Sequence, residues 1–171
     1  MHYEGGEIRG VTAFELAKRY LHIEELEGGQ DHPLIQWWLM LAGFGADAAD
    51  EIPWCAAFVN GIAWELDLPH PPKAGRPARA RSWLLIGRPI LPEHAAVGFD
   101  IAILKRGIGP QPGPEVIAAP GHVGFYAGRG AGLTPGEPER IMVLGGNQSD
   151  CVSVASYPAA LLLGVRRLVW A

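Results

Sequence analysis

The sequence changes character at Pro92, and this change constrains the fold more than any other feature of the chain. Before Pro92 the apolar residues recur at helical spacing, whereas after it short runs of β-branched and aliphatic residues are separated by turn residues. Helices followed by strands favour an α+β domain in which the helices pack on an antiparallel sheet. About five strands are expected, over residues 100–105, 122–126, 140–144, 152–156 and 165–169.

The helical half begins with a capping box, in which Thr12 caps a helix and Glu15 reaches back to it. Two later helices have a proline at their start, Pro33 and Pro53, because proline lacks the N–H that a first helical residue leaves unpaired. The predicted elements are helices over residues 12–22, 33–43 and 53–68, a short helix over residues 78–85, and loops over residues 69–77, 107–120 and 128–139.

Length and charge narrow the class of protein. The 171 residues fit a single domain, residues 1–171, and a hydrophobic content of 49% can fill its core. The formal net charge of -4 lacks the basic excess of a nucleic-acid-binding protein, so no nucleic-acid partner is expected. A group of arginines is interpreted as a solvated face or loop, and its members are Arg76, Arg79, Arg81 and Arg88.

No targeting or metal-binding pattern is evident. The first residues lack the basic region and apolar core of a Sec signal, and no segment approaches the roughly 20 apolar residues of a membrane span. We therefore expect a soluble monomer that is cytoplasmic on synthesis and does not insert into a membrane. No metal or cofactor is expected, because four histidines lack ligand spacing; they are His22, His32, His70 and His94.

Cys55 is the first candidate for chemistry, because it follows Pro53 and Trp54 in the first turn of a predicted apolar helix. The free backbone N–H groups and the positive end of the helix dipole favour a thiolate at that position. Such placements lower a cysteine pKa to roughly 3.5–7.5. The sequence thus predicts an activated nucleophile at Cys55. The second cysteine, Cys151, begins a strand pattern and is interpreted as structural; two cysteines do not suggest a disulfide framework.

His122 begins a predicted strand and is the candidate base for this nucleophile, because imidazole titrates in the range that thiol catalysis needs. A polar side chain is then needed to fix the imidazole tautomer. Asn147 and Gln148 follow two glycines at the end of another strand, and either amide could face inward. Trp54, beside the nucleophile, is a possible supporting residue. The other tryptophans are more typical of a core than of a glycan groove; they are Trp37, Trp38, Trp64 and Trp83.

Three motifs in this order resemble the CHAP and NlpC/P60 group of papain-like cysteine peptidases, and the similarity extends over nearly the whole chain. The motifs are Pro53-Trp54-Cys55-Ala56-Ala57-Phe58, Gly121-His122-Val123-Gly124-Phe125-Tyr126 and Leu144-Gly145-Gly146-Asn147-Gln148. The resemblance implies a papain-like α+β fold with Cys55 as nucleophile, His122 as base and Asn147 as the residue that orients it. Many CHAP domains have a glutamate where this chain has Gly145, so Gln148 remains a rival for the orienting role.

The resemblance also implies a function. The chain is expected to hydrolyse bacterial peptidoglycan without a cofactor, either as an endopeptidase or as an N-acetylmuramoyl-L-alanine amidase. It looks closest to small phage or prophage proteins, which favours an endolysin that reaches the wall through a holin or another export route. Two alternatives stay open: a secreted antibacterial amidase effector, and a catalytically silent wall-binding or virion structural module.

Overall fold

The computed structural model describes residues 10–26, 31–45, 47–50, 52–72, 77–132 and 136–170. These residues form helices and one antiparallel six-stranded sheet, which confirms the α+β class. Arg76 of the arginine group and the first seven residues, on which the expectation about a signal rests, lie outside the described residues. None of the helices in the described ranges is long and apolar enough to cross a lipid bilayer.

In the described residues, three α-helices precede the sheet: α1 (Ala13–Lys18), α2 (Pro33–Leu41) and α3 (Cys55–Glu65). The predicted capping box of Thr12 and Glu15 is present at the start of α1. The expected extension of this helix to residue 22 is wrong, because His22 adopts a positive φ of 74° and its N–H donates to Val152 O instead. The expected short helix is a 3₁₀ helix, Ala80–Leu85.

The sheet has the strand order β1-β6-β2-β3-β4-β5. The strands are β1 (Arg88–Ile90), β2 (Asp100–Lys105), β3 (Gly121–Gly130), β4 (Arg140–Gly145), β5 (Ser153–Pro158) and β6 (Leu162–Arg167). Short 3₁₀ turns, Pro92–His94 and Ala159–Leu161, connect some of them.

Several strand boundaries differ from the sequence-based expectation. The short edge strand β1 was not predicted, because its three residues include a proline and it exists only through pairing with β6. Strand β3 continues to Gly130 through an irregularity after Tyr126, so the expected loop at residues 128–139 begins later. Strand β6 ends before Leu168, whose N–H turns to Phe99 O. Strand β5 is displaced toward Pro158, because Val152 pairs with Ile23.

Helix α3 packs in the core and brings its first residue to the sheet. Its residues from Cys55 to Ala63 are all buried, and they share one apolar cluster with Val123 and Phe125 of β3. A close approach between helices is possible because Gly61 has no side chain; an added Cβ would lie 2.2 Å from Cδ1 of Trp38. Helix α3 and strand β3 therefore bring Cys55 against Val123, the residue after His122.

Candidate active site

Cys55 is the first residue of α3, and its side chain is almost completely buried. Burial raises the pKa of the Cys55 thiol, and this effect exceeds the opposing contributions of the Val123 backbone N–H, the Arg106 guanidinium, and the backbone N–H groups of Ala56 and of Cys55 itself. The expected helix-start position and its N–H groups are therefore present. The expected lowered thiol pKa is not found, because desolvation disfavours the charged form more than the helix terminus favours it.

His122 lies at the start of β3, opposite Leu104 of β2, and its side chain is 4% exposed. Burial lowers the pKa of His122 to about 4, a larger effect than the Gln148 hydrogen bond, which raises it. The imidazole is consequently neutral at neutral pH. A neutral imidazole can accept a proton from a thiol, so the resting pair is a thiol and a base rather than an ion pair.

Gln148 fixes the tautomer of this imidazole. Its Nε2 atom donates to the main-chain carbonyls of Val143 at 3.3 Å, of Gly145 at 3.2 Å and of Ser153. Its Oε1 atom therefore faces His122, whose Nε2 lies 3.1 Å away. Because a carbonyl oxygen only accepts, Nε2 of His122 must carry the hydrogen, which leaves the lone pair of the neutral ring on Nδ1.

Tyr157 completes this chain of hydrogen bonds. Its hydroxyl donates to Oε1 of Gln148 at 2.8 Å, and its ring centroid lies 5.4 Å from that of His122. The pKa of Tyr157 is raised, mainly by burial and also by the negative charge that a Cys55 thiolate would carry. This role of Tyr157 was not predicted, because the residue reaches the site only through the pairing of β5 with β4.

Asn147 does not face the histidine. It adopts a positive φ of 54°, and its Nδ2 donates to Oε1 of Glu25 at 3.0 Å. The expectation that Asn147 orients His122 is therefore corrected in favour of its rival, Gln148. Gly145 contributes to this arrangement, because an added Cβ there would make a tight contact of 3.2 Å with His122 Nε2 and an ordinary one of 3.4 Å with Gln148 Cδ. The missing side chain at residue 145 leaves room for the His122 ring beside the Gln148 amide.

Trp54 supports the site from within the core. It is fully buried, its ring stacks on that of Trp38 with centroids 6.0 Å apart, and its Nε1 donates to Glu25 Oε1 at 2.8 Å. Glu25 thus connects the residue before the nucleophile to Asn147 in the turn that carries Gln148. Trp38, Trp54 and Trp83 are inaccessible to a glycan, whereas Trp64 is 52% exposed and contacts Trp37 edge to face.

Two adjoining cavities open over the candidate pair. One, of about 960 Å³, contains Cys55, and the other, of about 560 Å³, contains His122, Gln148 and Tyr157. Arg106 and Gly107 line both cavities and thus mark the boundary between them. The Arg106 guanidinium lowers the pKa of Cys55 and of His122, although burial dominates at each. Arg106 was not expected at the site, and its position just after β2 was the one local signal in the sequence.

Arg81 shapes the loop that forms one wall of these cavities. The side chain is fully buried, and Nε donates to Pro120 O at 2.9 Å. Its Nη1 donates to three further carbonyls, those of Pro112 at 3.2 Å, Gly113 at 2.7 Å and Val116 at 3.3 Å. Arg81 is therefore a structural residue, and its expected placement on a solvated face is wrong.

The Cys151 thiol lies 3.3 Å from the main-chain oxygen of Gln148 and stabilises the turn. Both cysteines are free thiols. In the part of the chain that the structure describes, no group of three or more potential ligands could hold a metal ion.

Comparison with protein-family models, with curated proteins and with solved structures finds no significant match.

Proposed function

We propose that the protein is a cysteine-dependent amide hydrolase of bacterial peptidoglycan, with a papain-like arrangement in which Cys55 is the nucleophile and His122 the base. The observation that carries this proposal is the hydrogen-bonded series from Tyr157 through Gln148 to His122, which holds the imidazole in the tautomer with a basic Nδ1. A purely structural histidine has no need of a preset basic nitrogen, and the Cys55 thiol lies against the backbone N–H of Val123, the residue after His122.

In the proposed reaction, Nδ1 of His122 takes the Cys55 proton as the sulfur attacks the amide carbonyl carbon. The backbone N–H of Cys55 is a donor for the oxyanion that forms. The C–N bond then breaks, and the imidazolium returns its proton to the departing amine. Water, deprotonated by His122, next attacks the thioester and releases the acid and the thiol. Gln148 stabilises each imidazolium because its Oε1 accepts from Nε2.

The choice of peptidoglycan rests on the likeness of the three motifs to the CHAP and NlpC/P60 group. The cleft is consistent with a polymeric substrate, because a chain could extend through both adjoining cavities. One cavity contains Cys55 and the other contains His122. The scissile bond would lie between Cys55 and His122, with the acyl part on the Cys55 side and the amine on the His122 side. An endolysin is the biological role that this activity and the resemblance favour.

The direct test is release of soluble fragments and free amines from purified Gram-negative and Gram-positive sacculi. The native chain should clear sacculi, Cys55→Ala should not, and Cys151→Ala should retain activity as the matched cysteine control. Fragment masses would identify the bond. Equal activity of the native chain and Cys55→Ala would contradict the proposed nucleophile. Binding without any release by the native chain would instead favour a silent wall-binding module.

A further inference from the structure

The charge distribution in the cleft is unlike that of the whole chain. The formal net charge is -4, yet no acidic residue occurs among the described residues that line either cavity. The His122 cavity is lined by two cations, Lys105 and Arg106. Within the described ranges, neither the Lys105 nor the Arg106 side chain makes a hydrogen bond or an ion pair. The salt bridges there are formed by Arg129 and Arg167. Two unpaired cations in a cavity without carboxylates favour an anionic ligand.

Of the two cations, Arg106 is the better placed to contact an anionic group near the scissile bond. It lines the cavity of the nucleophile as well as that of the base, so its guanidinium lies near the boundary where a scissile bond would sit. A guanidinium offers several N–H donors in a planar fork that matches a carboxylate. Its side chain is exposed, so pairing with a substrate would not require a contact within the protein to break first.

The two cavities also differ in chemical character. The Cys55 cavity is lined largely by small or apolar side chains, which include Ala42, Phe44, Ile52, Ala118 and Ala119, and its cations are Arg79 and the shared Arg106. The His122 cavity adds polar groups, including Gln111, Asn147 and Ser149, to its two cations. The leaving amine must lie on the His122 side because the imidazolium protonates it. The cavity that holds Lys105 and Arg106 is therefore the one that receives the leaving group.

We propose that the cavity beside His122 selects a leaving group that carries a free carboxylate, which Arg106 binds and Lys105 further stabilises. This inference rests on the proposed function and specifies its substrate: an amide whose amine component is an amino acid or peptide with an unblocked carboxylate close to the scissile bond. Arg106 is then a specificity-determining residue.

The test compares purified sacculi with the same sacculi after their free carboxylates have been converted to primary amides with ammonia and a water-soluble carbodiimide. The native chain should cleave the amidated polymer roughly 10- to 100-fold more slowly, the range for loss of a hydrogen bond between charged groups. Arg106→Ala should lose a similar factor on unmodified sacculi and little on amidated sacculi. Arg88→Ala, on β1 and outside both cavities, is the matched control and should behave as the native chain.

Three results would overturn the proposal while leaving the hydrolase function intact. These are equal cleavage of both polymers, equal loss on both polymers in Arg106→Ala, or fragments whose newly formed amino-terminal residue has no carboxylate. If the native chain cleaves neither polymer, the proposed function fails, and binding of Cys55→Ala to the two polymers decides the present inference. Tighter binding to unmodified sacculi that Arg106→Ala abolishes would support it, and equal or absent binding would refute it.

Discussion

Nε2 of His122 lies 3.1 Å from Oε1 of Gln148, and the Gln148 amide is locked in this orientation by the carbonyls that its Nε2 contacts. The candidate base is thus positioned by the residue after the one that the motif resemblance had favoured. Because the hydrogen bond becomes charge-assisted when the imidazole is protonated, it stabilises the imidazolium more than the neutral ring. Gln148 should therefore affect the rate of the chemical step.

We expect Gln148→Met, which keeps the side-chain volume, to lower kcat roughly 10- to 100-fold, since a hydrogen bond to a charged group is worth about 1.5–3 kcal/mol. The acid limb of the pH–rate profile should also move to lower pH, because the Gln148 hydrogen bond raises the pKa of His122. The control is Asn147→Gly, which removes the neighbouring amide and tolerates the positive φ. Similar kcat losses and unshifted pH profiles in both variants would contradict the assignment.

The difference between Asn147 and Gln148 illustrates what the sequence could predict. Pro53 and the apolar spacing after it predicted a helix start near Cys55, and the strand pattern placed His122, because these signals are local. Which amide faces the ring depends on left-handed conformations at Asn147 and Ser149 and on the space beside Gly145. Residue types alone do not determine these three-dimensional features.

Other features of the site that the sequence did not predict also depend on contacts between residues far apart in the chain. The sequence could indicate the helix terminus at Cys55, but not that burial would exceed its effect on the thiol pKa. Tyr157 reaches Gln148 only because β5 pairs with β4 in one register. Arg81 was predicted to be a surface cation because the sequence does not show that the loop after β2 packs around its side chain. The α+β class was predictable because it needs only the order of the helical and strand patterns.

The pH dependence of activity should show whether Cys55 and His122 rest as a neutral thiol and imidazole or as a thiolate–imidazolium ion pair. His122 has a pKa of about 4, so kcat/KM should fall only as the pH drops through this value, where the base becomes protonated. The pKa of Cys55 is raised, so its alkylation by iodoacetamide in a Cys151→Ala background should still increase with pH above pH 9. A plateau of the alkylation rate near neutral pH would show a stable thiolate and contradict this prediction.

Tyr157→Phe removes one hydroxyl and retains the ring beside His122. Without the donor, Oε1 of Gln148 loses one of its two contacts but still accepts from the imidazole. We therefore expect a loss of about 0.5–1.5 kcal/mol in unfolding free energy and a fall in kcat of less than roughly 10-fold, the range of one neutral hydrogen bond. Urea titration and kcat measurements test both values. A kcat loss as large as that of Gln148→Met would mean that the hydroxyl itself acts on the substrate.

Arg81→Lys should destabilise the protein and loosen the loop at residues 107–120. The guanidinium contacts four main-chain carbonyls, which a lysine ammonium cannot reach together, and an unpaired buried carbonyl costs about 1–3 kcal/mol. Limited proteolysis with mapped cleavage sites should show faster cutting within this loop. Arg88→Lys, at an exposed position, is the matched control and should leave the cutting rate unchanged. Equal protection of the loop in both variants would contradict the proposed bracing role.

Gly145 and Gly146 are adjacent, yet their substitution should have different consequences. A Cβ on residue 145 would lie 3.2 Å from His122 Nε2, whereas one on residue 146 would lie 2.3 Å from Cζ3 of Trp54 and 2.8 Å from Cβ of Phe58. Gly145→Ala can be accommodated by a shift of a few tenths of an ångström, which should lengthen the hydrogen bond from His122 and lower kcat roughly 10-fold. Gly146→Ala forces atoms into the packed core and should cost about 1–3 kcal/mol of unfolding free energy. Thermal unfolding and kcat, measured on both variants, distinguish the two effects. Suppose instead that Gly145→Ala lowers both kcat and the unfolding free energy, by as much as Gly146→Ala lowers the latter. The absence of a side chain at residue 145 would then be a requirement of core packing, and the space beside His122 would not position Gln148.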